Sequence, residues 1–203
     1  MFLFITKTIN MKNTYLSVMK LPSISELQQK RISSIDSLIN NLKFHDVEKD
    51  ETFEVSKQKI KKAILFEPIT LLEPEFVDHS YVERNVTFEQ QIIGLSKHQY
   101  FHKIKFPFTG DKELFLHSYN GMTYFSSDHG VMEPNGNTFT VYVELPKLNP
   151  PTSIEQARSL LRLTTDIGQN NSNSIIIWNT AIEKRIDSDL ENKRAELFDI
   201  FDK

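Results

Sequence analysis

Two histidines four residues apart, His98 and His102, have the spacing at which imidazoles on a helix share a metal ion. They stand at the entry to a strand-like run, however, where residues four apart are separated by about 13 Å. His45, His79, His117 and His129 are scattered, and no HExxH set gathers ligands. Asp111 and Glu113 resemble a pair of catalytic acids, yet beside Gly110 they read as turn chemistry, with Asp111 accepting backbone amides and Glu113 solvated. A hydrolase assembled from Asp111, Glu113 and His117 is therefore the least favoured reading. Gly94, Gly110, Gly121, Gly130, Gly136 and Gly168 make neither GxxxxGK nor GxGxxG, and no serine stands in a GxSxG elbow. The residues point to no catalytic centre, no metal and no cofactor.

Binding chemistry has more candidates. Lys57, Lys59, Lys61 and Lys62 lie close together on an expected short helix, where they would serve as phosphate contacts of a nucleic-acid-binding module. A net charge of −3 and a pI near 6.1 argue against binding dominated by electrostatics. Trp178 and the phenylalanines interleave with Ile and Leu at core spacing, which favours packing over base stacking. Cysteine is absent, which removes disulfides and thiolate metal sites and suits the cytoplasm. The apolar run Met1 to Ile5 is too short to cross a membrane, and no membrane association is expected. Residues 1–22 read as a weakly ordered leader, with Met11 or Met19 as alternative starts.

The elements that must position these residues follow from periodicity. Ser23 and Glu26 form a capping box before a helix in which Ile24, Leu27, Ile32, Ile35, Leu38, Ile39 and Leu42 recur at helical spacing to about Lys43. Phe44 to Phe53 reads as a loop, and Ser56 as the cap of a second helix that must end near Glu67, before Pro68. Glu75 to Phe88 is strand or irregular. In Tyr100 to Phe108, Ile104, Phe106 and Phe108 alternate with Lys103, Lys105 and Pro107, as in a half-buried strand. Thr109-Gly110-Asp111 turns the chain, and Glu113 to Tyr119 reads as the return strand. Pro134-Asn135-Gly136-Asn137 is a second turn, leading into Thr138 to Leu145 with Phe139, Val141, Val143 and Leu145 on one face.

The pattern predicts an α+β fold, a small antiparallel β-sheet covered by N-terminal helices. Beyond Asn149-Pro150-Pro151, a helix capped by Thr152 or Ser153 is expected to stop at Gly168-Gln169-Asn170-Asn171, with a longer one from Asn173, giving a C-terminal helical hairpin. The domains are then a leader over 1–22, an α+β body over 23–150 and the hairpin over 151–203. In the longer helix Ile175, Trp178, Ile182, Ile186, Leu190, Leu197, Ile200 and Phe201 share one stripe. Mixed charges solvate the rest. Trp178, Ile182, Ile186, Leu190, Leu197, Phe198 and Phe201 are the residues expected to meet a protein partner.

The run Pro107-Phe108-Thr109-Gly110-Asp111-Lys112-Glu113-Leu114-Phe115 resembles a motif of bacterial proteins from defence and restriction contexts. In that group a helical and β N-terminal module precedes a restriction-endonuclease-like nuclease half. Trp178-Asn179, and Lys193-Arg194 before Leu197, are similar to the group's aromatic-Asn and Arg-rich tail signature, so the resemblance spans about residues 23–203. Ser118-Tyr119-Asn120 departs from it, standing where a proline-serine step is usual. The nuclease half would bring an acidic residue and a Glu-x-Lys pair to hold a metal, and the sequence ends at Lys203 without them. The resemblance thus implies a non-catalytic accessory module of a bacterial antiviral or restriction-like system. Its long C-terminal helix would dock a separately encoded effector, a nuclease or ATPase, or form a homo-oligomer.

Overall fold

The computed structural model describes residues 12–83, 86–92, 98–119, 122 and 130–201. In chain order these form β1 (Tyr15–Leu16), a 3-10 turn (Val18–Lys20), α1 (Ile24–Asn40), α2 (Phe44–Val47), α3 (Asp50–Ile64), β2 (Thr70–Leu71), β3 (Glu75–Glu83), α4 (Phe88–Ile92), β4 (His98–Thr109), a second 3-10 turn (Lys112–Phe115), β5 (Val131–Met132), β6 (Thr138–Leu145) and α5 (Pro150–Phe201). The class is α+β, with small antiparallel sheets and a long C-terminal helix. Gly94, Asn120, Gly121, His129 and the first eleven residues of the expected leader lie outside the described residues. The chain divides into two compact units, the first made of Met1–Ser17, Leu71–Phe108 and Ser126–Thr164, the second of Val18–Thr70, Thr109–Phe125 and Thr165–Lys203.

The first unit carries the main sheet, in which β4 pairs antiparallel with both β3 and β6. Ile104 faces Val141, Phe106 faces Phe139 and His102 faces Val143, and all six side chains are buried. The alternation read from the sequence is thus the core face. Gly136 takes the positive φ of 60° that the expected turn requires, and Asn135 and Thr138 exchange backbone hydrogen bonds across it. On β6, the Asn13 side-chain amide accepts from Tyr142 N and donates to Tyr142 O, both at 2.9 Å, occupying ladder positions that an edge would leave open. The part of α5 up to Thr164 buries Ser153, Ala157, Leu161 and Thr164. It is tied to the sheet region by His102 Nδ1 to Ser153 Oγ, and by Met132 N donating to Thr164 Oγ1 at 2.9 Å.

In the second unit, Ser23 Oγ accepts from Glu26 N at 3.2 Å and starts α1 where the capping box places it. Ile35 and Ile39 of α1, Val47 of α2, Phe53, Ile60 and Ile64 of α3, and Ile182, Ile186 and Leu190 of α5 form one buried cluster. Two expectations change here. Phe44 to Phe53 is not a loop but holds α2 and the start of α3, because Val47 and Phe53 both enter that core. Ser56 is not a cap: α3 begins at Asp50, whose carboxylate and that of Glu51 suit the positive end of the helix dipole. Ser56 lies buried inside α3, its hydroxyl directed to Asp46 O at 3.4 Å.

Two further expectations are corrected by packing. Glu113 to Tyr119 is not a return strand. Leu114 and Phe115 are both completely buried, which the two-sided alternation of a strand cannot give to neighbours but a tight 3-10 turn can. The C-terminal hairpin is one uninterrupted helix, α5, through Gly168 and Asn171. Gly168 resembles a helix stop, yet it serves as a gap for an aromatic ring, since a Cβ there would sit 2.4 Å from two carbons of Phe115.

Candidate docking surface

Along the inner face of α5 in the second unit, polar side chains stand among the apolar ones. Asn171 Nδ2 donates to Leu114 O at 2.8 Å and His117 O at 2.7 Å. Ser172 Oγ accepts from Ile69 N at 2.9 Å. Asn179 accepts from Phe66 N at 3.1 Å through Oδ1 and donates to Phe66 O at 2.8 Å through Nδ2. Each satisfies backbone groups of a segment that has no ladder of its own, so α5 replaces a missing sheet neighbour with side chains. Sequence reasoning missed this row. Its signal is polar residues at the inward period of the helix, at 171, 172 and 179.

The run Thr109 to Phe115 is consumed by the same framework. Gly110 has φ +97°, and a Cβ would fall 2.3 Å from Pro68 O, so only glycine fits. Asp111 Oδ2 accepts from Glu67 N at 3.0 Å, the amide-accepting role expected of it, and pairs with Arg31 at 3.2 Å. Glu113 is not simply solvated, because Arg31 reaches it at 3.3 Å. The same guanidinium donates to Ile64 O and Leu65 O at 3.2 and 2.8 Å, capping the end of α3, and lies 3.7 Å over the Phe66 ring. His117 Nδ1 contacts Glu113 O at 2.8 Å. Asp111 and Glu113 are thus held by one guanidinium, and the His117 ring meets the Glu113 backbone rather than its carboxylate.

The four lysines divide. Lys57 pairs with Asp187 at 3.2 Å, and Lys61 pairs with Glu183 at 2.8 Å and Asp187 at 2.9 Å. Burial opposes the charge on Lys61, but hydrogen bonds and attraction from Glu183 and Asp187 outweigh it and hold its pKa above the ordinary value. Asp187 is likewise opposed by burial, yet Lys61 and Lys57 hold its carboxyl below the usual range. Of the four, Lys59 and Lys62 are exposed and Lys57 and Lys61 are partly buried.

The expected docking stripe meets its own unit first. Ile182, Ile186 and Leu190 retain 8%, 0% and 0% exposure, because α1 and α3 cover them, so they are not offered to a partner. Trp178 packs on Phe66 with ring centroids 5.2 Å apart, and Leu197 is partly buried against the same core. Phe198 and Phe201 flank Phe44 at 5.3 and 4.3 Å. Of the expected residues only Phe201 is left largely exposed on α5, and Ile176, Ile177 and Ile200 are exposed with it.

In the first unit, His98 and His102 bracket Tyr100 on β4. His98 Nε2 lies 3.5 Å from Glu83, while His102 is buried against Ser153. Burial, and secondarily the nearby His79, pushes the His102 pKa down. Among the described residues no group of three His, Asp or Glu side chains converges as metal ligands would, and no helix is long and apolar enough to cross a membrane. No family model, curated protein or solved structure matches the chain.

Proposed function

We propose that this chain is a non-catalytic recognition and assembly module, working in the cytoplasm beside a separately encoded effector of a bacterial antiviral or restriction-like system. The defence context rests on the resemblance carried by Pro107 to Phe115. The assembly reading is supported by one observation above the rest: Asp111 and Glu113, the acids of that motif, are engaged by Arg31 and the Glu67 amide, which makes the motif a brace. The large apolar side chains left exposed on α5 supply surface for contact with another protein. The effector of this reading is a nuclease or ATPase. Nucleic acid is the weaker partner, because Lys57 and Lys61 are already neutralised by Glu183 and Asp187.

Co-expression with the product of the adjacent gene, followed by size-exclusion chromatography with light scattering, tests the reading. The expected result is a co-eluting complex. A chain that passes through alone at micromolar concentration, whichever neighbour is supplied, overturns it.

A further inference from the structure

Resting on that assembly reading, we propose that two copies of this chain pair through the outward seam of α5 between Asp166 and Lys184, with the two helices antiparallel. Asp166, Asn170, Asn173, Ile177, Thr180 and Lys184 are spaced by four, three, four, three and four residues, and every one of them is exposed. That spacing places them on one face of α5, on the side away from Ile175, Ile182 and Ile186. Ile177 at its middle is 76% exposed, with Ile176 beside it at 52%.

Charge is the second argument. From Ile167 to Ile182 no residue is charged, in a chain of which 25% is Asp, Glu, Lys or Arg. Solvated helix faces carry mixed charge, as α5 does beyond Glu183, whereas the centres of protein contacts are depleted of it. The polar side chains in the seam are already hydrogen-bonded on their own helix. Asn170 Nδ2 donates to Asp166 O at 2.8 Å, Thr180 Oγ1 to Ile176 O at 3.0 Å, and Gln169 Nε2 to Asn173 Oδ1 at 3.3 Å. Covering them with another helix leaves fewer orphaned donors than covering free amides would.

The seam's ends identify the occupant. Asp166 closes it on one side and Lys184 on the other, and neither carboxylate nor ammonium is in an ion pair among the described residues. A second copy laid antiparallel about Ile175 sets Asp166 of each chain against Lys184 of the other. A parallel copy sets like charge on like. The same dyad brings Ile177 of each copy beside Asn173 of the other, with the two Ile177 positions about 6 Å apart along the seam.

Sedimentation velocity of the full chain over a concentration series is the test. The wild type is expected to dimerise, Ile177→Glu to be monomeric, and Asp166→Lys and Lys184→Glu each to weaken dimerisation by about tenfold, since each turns two attractive pairs into repulsive ones. Mixing D166K with K184E restores attraction at both ends and is expected to yield a heterodimer tighter than either homodimer. Far-ultraviolet circular dichroism checks that the variants, all at exposed sites, stay folded. A wild-type monomer at every concentration overturns the inference, and so does a dimer indifferent to these charges or a mixture that shows no preference. A monomeric chain that still binds its effector overturns the seam alone. A dimer obeying the charge pattern but binding no effector leaves the seam standing and removes the effector reading.

Discussion

Gly168 sits mid-helix, where glycine is about 1 kcal/mol poorer than alanine. The Phe115 ring occupies the space a Cβ would need. Gly168→Ala is thus expected to destabilise despite its better propensity, by about 2 kcal/mol of overpacking measured in urea. Phe115→Leu should lower that cost in the double variant, and equal costs in both backgrounds would remove the ring as the cause. His102 gives a residue-scale prediction in pH. Its folded pKa is depressed, so the unfolded chain takes up the proton first, and stability present above about pH 6.5 is lost as pH falls through the folded value. Thermal melts between about pH 7.5 and about pH 5 should show this slope in the wild type and a shallower one in His102→Phe. Parallel slopes would mean that another group titrates.

At the scale of elements, α3 and α5 are joined by Lys57, Lys61, Glu183 and Asp187 as well as by the core they share. Asp187→Ala leaves two half-buried ammoniums with less compensation and is expected to cost about 1 kcal/mol, discounted for exposure. Lys61→Met, which keeps the apolar stem, should cost less. A urea titration ranking them the other way would show that packing at Asp187, not charge, joins the helices. The elements were legible wherever one face alone decides burial. The alternation of β4 and β6, the Ser23 cap and the Asn135-Gly136 turn are local patterns, and the structure keeps them. They fail where a distant segment sets the local state. Gly168 and Asn171 carry the signature of a helix end, but Phe115 and the Leu114 and His117 carbonyls hold them in the helix. Val47 and Phe53 sit in a charged run that reads as loop until α5 provides a core for them. Of the docking stripe, the period was readable and the occupant was not, because sequence does not say that α1 and α3 already fill it.

At the scale of the whole molecule, the chain enters each unit three times, so neither is a contiguous stretch. The last entry into the second unit brings Ile175, Ile182, Ile186 and Leu190, together with the Asn171 and Asn179 clamps. Truncation after Thr164 keeps every segment of the first unit but removes these. Losing four buried aliphatic side chains at about 2 kcal/mol each equals a typical domain's entire margin of about 5–15 kcal/mol. The backbone groups of Leu114, His117 and Phe66 lose their partners as well. Peptides from α1 and α3 are therefore expected to exchange amide hydrogens as an unfolded chain does in the truncated protein, while in the full chain they are protected. Retained protection of α1 and α3 without α5 would show that these helices hold each other unaided, and the role of α5 as their shared partner would have to be abandoned.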